Sequence, residues 1–148
     1  MRTGIPSSGD IDALVAFLPK LYGDYAEPVV TWSGMTKDGD GVFTLPYPQY
    51  NQTVRAFFML ASSDPWDDHD YVPEVADGIL KDGVSIEKAD LSLVKTLLTF
   101  CVRGERFCDG FWSEVIEAGY IKKLLLRLLK LRDESFRKAS GSDTASRQ

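Results

Sequence analysis

The sequence holds few of the residues that most often carry out chemistry. It has one histidine, His69, and two cysteines, Cys101 and Cys108, in 148 residues. Two cysteines cannot build a disulfide framework, and thiols this sparse fit a reducing cytoplasm. There is no Walker loop, no zinc-ligand spacing, no Gly-rich dinucleotide turn and no credible catalytic triad, so neither a cofactor nor a metal is expected. No apolar run approaches the roughly twenty residues that span a bilayer. The longest leucine-rich stretch, 121–131, is interrupted by Lys122, Lys123, Arg127 and Lys130, and no membrane association is expected. Residues 1–10 contain one arginine and no apolar run, unlike a secretory signal. A surplus of positive charge is missing as well: the net charge of −5 argues against direct nucleic-acid binding. No internal repeat is visible.

What is present is the composition of an ordinary globular domain, 44% hydrophobic and 26% charged, on a chain long enough to bury a core. Charge is distributed unevenly. Residues 64–90 carry Asp64, Asp67, Asp68, Asp70, Glu74, Asp77, Asp82, Glu87 and Asp90 against Lys81 and Lys88, whereas 120–132 carry five bases and no acid. Such patches either face each other or mark a binding surface.

Apolar spacing predicts a mainly helical chain. A first helix is expected from Asp10 as N-cap, with Ile11, Leu14, Val15, Leu18, Leu21 and Tyr22 on one face, a kink or separate last turn at Pro19, and a stop at Gly23. Val29, Val30, Thr31 and Trp32, and then Val42, Phe43, Thr44 and Leu45, suit strands. The Asp-Gly pairs at 38–41 between them predict a small antiparallel hairpin that ends at 46–50. Asn51 is expected to cap a helix bearing Val54, Phe57, Phe58 and Ala61. A short helix begins at Pro73, with Val75, Ala76, Ile79 and Leu80 on its apolar side. Asp90 is expected to cap the clearest helix, lined by Leu91, Val94, Leu97, Leu98, Cys101 and Val102. Gly104 breaks it, and beyond a sharp corner at 103–110 follow two more helices, the last with Ile121, Leu124, Leu125, Leu128 and Leu131. The fold class is therefore α+β, mainly α: one hairpin on a bundle of about five or six helices. Residues 1–133 are expected to form one domain, and 134–148, rich in Ser, Thr, Asp, Lys and Arg, a disordered C-terminal tail.

The corner reads Arg103-Gly104-Glu105-Arg106-Phe107-Cys108-Asp109-Gly110. This Arg-x-Glu-Arg-Phe-x-x-Gly pattern between two helices, followed by a leucine-rich helix, resembles a mostly bacterial family known only as a domain of unknown function. Tyr47-x-x-Tyr50 before a helix and the loop around Trp66 are similar to that family as well, and the likeness runs over about 11–131. The resemblance implies a mainly helical single domain and brings no activity, substrate or catalytic residue with it.

Two sets of residues are candidates for function. Arg103, Glu105, Arg106, Cys108 and Asp109 cluster before a helix start, where guanidiniums and free N–H groups can hold a phosphate or carboxylate. Alternatively Glu105 and Asp109 pair with the arginines and lock the corner, with Asp109 as N-cap; this structural reading is preferred. Cys108 beside Arg106 could serve as a nucleophile only with a base, and His69 is the single candidate. Packing is the commoner use of a free cysteine.

The second set is Trp66, Asp67, Asp68, Asp70 and Tyr71, an aromatic and acidic loop that fits either a partner surface or a solvated turn. Its acids lack a second cluster for a metal, and 38–41 fails as a calcium loop because Thr36 and Tyr47 fall where ligands belong. Lys122, Lys123, Arg127, Lys130 and Arg132 read as a solvated helix face. The leading expectation is a small non-enzymatic interaction protein that binds a protein partner or a small anion through the corner or the acidic loop. The alternatives are an enzyme or anion-binding domain sited at the corner, and an accessory or inhibitor protein acting on nucleic-acid machinery.

Overall fold

Side-chain caps fix where the helices begin. In the computed structural model, which describes residues 5–23, 29–32, 36–37, 43–44, 48–68, 70–82 and 84–146, helix α1 (Ser8–Val15) starts at Ser7. The Ser7 hydroxyl accepts the Asp10 N–H at 3.2 Å, and the Asp10 carboxylate accepts the Ser7 N–H at 2.8 Å. Asp10 is thus the third helical residue of a capping box and not the N-cap expected from the sequence. Pro19 opens a separate short helix, α2 (Leu18–Tyr22), which Gly23 ends. Asn51 caps α3 (Gln52–Ala61) through the Val54 N–H at 2.8 Å, as expected. Helices α4 (Pro73–Asp82) and α5 (Val84–Glu87) lead to α6 (Leu91–Gly104), capped by Asp90 through the Leu93 N–H at 2.8 Å. Beyond the corner lie α7 (Phe111–Glu117) and α8 (Tyr120–Ser146). The helical backbone of α8 continues past 134, into the stretch expected as a tail.

The α+β, mainly α architecture matches the sequence expectation, but the β pairing differs from it. Strand β1 (Val30–Trp32) pairs antiparallel with β4 (Pro48–Tyr50), Val30 opposite Tyr50 and Trp32 opposite Pro48. Inside this ladder β2 (Thr36–Lys37) pairs with β3 (Phe43–Thr44). Stepping inward equally from Trp32 and Pro48 reaches Thr36 and Thr44, the pair observed, so both ladders share one register. The partner of β1 is therefore the Pro48–Tyr50 segment, which the sequence reading treats as the end of a strand. The turn at 38–41, Tyr47 and His69 lie outside the described residues.

The core is built where α3, α6 and α8 meet. Val54, Phe57, Phe58 and Ala61 face Val94, Leu97, Leu98 and Cys101, with Ile121, Leu124, Leu125 and Leu128 below them; all are buried. Full burial of each large aliphatic side chain contributes about 1.5–3 kcal/mol. Helix α4 turns Ala76 and Leu80 inward, whereas Val75, expected on its apolar face, is exposed. Arg127 does not belong to a purely solvated stripe: its Nε donates to the Ala89 carbonyl at 2.7 Å and ties α8 to the link between α5 and α6. Among the described residues no helix is long and apolar enough to cross a membrane.

The first and last parts of the fold close on each other. Helix α1 packs along α8, and Asp12 forms an ion pair with Arg132. The Tyr22 hydroxyl donates to the Ile116 carbonyl at 2.8 Å and accepts the Lys122 N–H at 3.2 Å, joining α2 to the end of α7 and the start of α8. Burial raises the Tyr22 pKa above its ordinary 10.0, with the Lys122 N–H opposing the shift. The unfolded phenol therefore ionises before the folded one, so this contribution to stability is complete below pH 10.0 and is lost as pH rises above it. Tyr22→Phe is expected to lower the unfolding free energy by about 1–2 kcal/mol at neutral pH in urea titrations. The same variant should show a shallower loss of stability above pH 10.0 than the parent; an unchanged slope would remove this assignment.

Candidate functional site

The corner between α6 and α7 is held by a carboxylate. Glu105 directly follows α6 and turns its side chain onto the start of α7. One carboxylate oxygen accepts the Trp112 N–H at 2.9 Å and the Tyr50 hydroxyl at 2.6 Å; the other accepts the Gly110 N–H at 2.9 Å. The first N–H groups of a helix lack partners of their own, and an acid there also meets the positive end of the helix dipole. Glu105 thus fills the anion position that the sequence reading assigns to a bound ligand or to Asp109. Asp109 is exposed, and Gly110 is the N-cap. Tyr50 reaches the site from β4, and its hydroxyl pKa is raised by burial and then by the Glu105 carboxylate, so it stays a donor.

Two glycines let the corner close. Gly110 has φ of 90°, a left-handed conformation that favours glycine, and a Cβ there would lie 2.8 Å from the Trp32 ring of β1. Gly104 has no such backbone. A Cβ on it would sit 2.2 Å from the Phe111 ring, so its part is to admit that ring. The bend expected at Gly104 is present, but it is made by close packing and by Gly110.

The arginines do not hold the corner. Arg103 leaves it and meets the acidic loop: its Nη2 lies 3.0 and 3.2 Å from the two Asp67 carboxylate oxygens, and the guanidinium sits 5.0 Å from the centre of the Tyr71 ring. The loop is fastened to the same stripe of α6. Asp68 donates its N–H to Thr99 at 2.9 Å and accepts from Thr96 at 2.6 Å. Beneath them Trp66 is 1% exposed, so it belongs to the core and is not available to a partner. The structure thus joins the two candidate sets into one unit through Asp67 and Arg103. Of the loop set, Asp70 alone is exposed; Asp67, Asp68 and Tyr71 are half-buried.

Outside this frame stand Arg106, Phe107, Cys108 and Asp109, all exposed, Phe107 at 84%. The Cys108 thiol donates weakly to the Asp109 carbonyl at 3.9 Å. Cys101 is buried, and burial raises its thiol pKa well above the ordinary range. Beside Arg106 a groove of about 840 Å³ opens between α3 and the corner. Its floor is Phe58, Val102 and Trp112, and its rim carries Arg55, Met59 and Arg106. Phe58 stacks on Trp112 at 4.4 Å with 7° between the rings, and the Trp112 indole donates to the Val102 carbonyl at 3.0 Å. The Arg55 and Arg106 side chains are exposed and make no hydrogen bond or ion pair among the described residues.

Sequence reading missed Arg55 and Met59. They lie one turn apart on α3, off the apolar stripe of Val54, Phe57, Phe58 and Ala61, and an exposed methionine on the outer side of a helix was the available signal. Among the described residues no three His, Cys, Asp or Glu side chains group as a metal site.

No curated protein and no solved structure matches the chain. A family model described as a family of unknown function (DUF6508) matches residues 6–134, a span that holds the corner, the acidic loop and the groove. The protein therefore belongs to the DUF6508 family of unknown function.

Proposed function

We propose that the protein is a non-enzymatic binding module that recognises a protein partner through the outer side of the corner and the adjoining face of α3. One observation carries this reading: a frame whose own polar groups are satisfied displays large side chains that the fold itself does not use. Phe107 is 84% and Met59 74% exposed, and Arg55 and Arg106 stand beside them without described partners. Aromatic and arginine side chains on a rigid support are the usual anchors of protein interfaces. Covering a side chain such as Phe107 in a complex would yield about 1.5–3 kcal/mol. What favours binding over catalysis is that Arg103 and Glu105, two charged groups a reaction at the corner would draw on, are committed to Asp67 and to Tyr50, Gly110 and Trp112. Two acids of the loop, Asp67 and Asp68, are likewise engaged, which moves the proposed surface from the loop to the corner.

Cys108 supplies the test. It is exposed while Cys101 is buried, so a thiol-reactive photo-crosslinker placed on native protein labels the corner. In extract of the source cell, illumination is expected to give a saturable adduct with one protein. Excess unlabelled parent should displace it, and an Arg106→Glu/Phe107→Ser variant should not. Absence of a saturable adduct, or equal displacement by the variant, refutes the reading.

A further inference from the structure

We infer that the groove between α3 and the corner takes an acidic linear segment of a partner protein, in which carboxylates flank an apolar side chain. This rests on the binding reading above and names what that surface recognises. The rim offers two guanidiniums, Arg55 and Arg106, with no partner among the described residues, and planar guanidiniums bind carboxylates through paired hydrogen bonds. Among the described residues the one carboxylate lining the groove is Glu105, whose oxygens already accept from Tyr50, Gly110 and Trp112. The groove is therefore locally cationic on a protein of net charge −5. Complementary charge of this kind steers an acidic partner to the patch and away from the acidic parts of the surface.

Shape narrows the occupant further. A groove of about 840 Å³ far exceeds a single small anion, and its floor of Phe58, Val102 and Trp112 calls for an apolar group between the charges. Met59, 74% exposed on the rim, can adapt its unbranched side chain to whichever apolar group enters. A nucleic acid fits less well. Phe58 already covers one face of the Trp112 indole and Tyr50 leans against the ring at 5.1 Å, so the stacking platform that unpaired bases seek is largely taken.

The indole N–H of Trp112, fixed on the Val102 carbonyl, reports on the groove floor in a nitrogen-correlated NMR spectrum. The probes are a short synthetic peptide with aspartates on both sides of a leucine and a phenylalanine, its lysine counterpart, and a short oligothymidylate. The aspartate peptide is expected to shift the Trp112 signal saturably. Arg55→Glu and Arg106→Glu should each weaken it roughly tenfold, the effect of losing one charge-assisted contact. Neither guanidinium bonds to another group among the described residues, so both variants should melt with the parent, and the comparison stays one of binding. The peptide should also compete with the Cys108 adduct. An equal or larger shift with the lysine peptide or the oligothymidylate overturns the inference, as does no shift with the aspartate peptide. If that peptide fails while the competable Cys108 adduct persists, the segment chemistry falls and the binding module stands; loss of the adduct removes both.

Discussion

Glu105→Ala is expected to lower the unfolding free energy by about 3 kcal/mol, read from the midpoint shift in urea at constant slope. The size follows from what is left behind. The substitution strands the N–H groups of Gly110 and Trp112 at the start of α7 and the hydroxyl of Tyr50, all in a half-buried setting. An unmet donor of this kind costs about 1–3 kcal/mol, and a lost acidic cap at a helix start about 1 kcal/mol, with water recovering part of the sum. Glu105→Gln separates charge from shape. It keeps one acceptor oxygen but must aim its amide at another donor, so about half the loss is expected. The loss should propagate to β4, because Tyr50 touches the corner through this carboxylate, and the exchange protection of the Val30–Tyr50 ladder should fall with it. A cost below about 1 kcal/mol for Glu105→Ala would mean that the corner is set by packing alone.

Gly104→Ala is diagnostic because its sign can go either way. At an ordinary last helical position the exchange would stabilise by about 0.5–1 kcal/mol through helix propensity. Here the new Cβ would fall 2.2, 2.3 and 2.9 Å from three ring atoms of Phe111, which is itself held edge-on by Phe100 at 5.5 Å. Overpacking of this degree costs about 1–3 kcal/mol, so a net destabilisation of about 2 kcal/mol is expected. Phe111→Leu should cost about 1 kcal/mol alone, and the double variant should be less impaired than the two losses combined, with a coupling of about 1 kcal/mol or more. A stabilising Gly104→Ala, or strict additivity, would show that the helices do not depend on this contact.

These two residues illustrate what could be read in the sequence. The corner was legible as a place because a glycine, a second glycine and charged residues interrupt two leucine-rich periods. The role of each charge was not. Which acid meets which donor depends on Tyr50 and Asp67, which lie 55 and 36 residues away from their partners, and local spacing carries no such information. Caps read well at Asn51 and Asp90 because one side chain suffices there. At α1 Asp10 alone does not mark the start, because its reciprocal bond with Ser7 makes the pair a box.

Trp66 misled for a related reason. Its acidic neighbours suggest water, yet Asp67 and Asp68 are fixed to Arg103, Thr96 and Thr99, and the indole between them and the core has nowhere else to go. The hairpin is legible in the sequence, and its pairing is not. Branched residues at 42–45 gave the stronger strand signal, whereas the Tyr50 contact to Glu105 holds the Pro48–Tyr50 arm beside Val30–Trp32.

The ion pair between Asp12 and Arg132 and the reach of Tyr22 to Ile116 and Lys122 make the fold topologically a ring. Asp12 in the first helix and Arg132 midway along the last are neighbours. A linker from the vicinity of residue 134 back to residue 7 could be short, and a circularly permuted chain opened at a surface turn would retain the contacts described above. The same closeness would let such a unit be inserted whole into a loop of a larger protein, entering and leaving through adjacent strands of chain without straining its host.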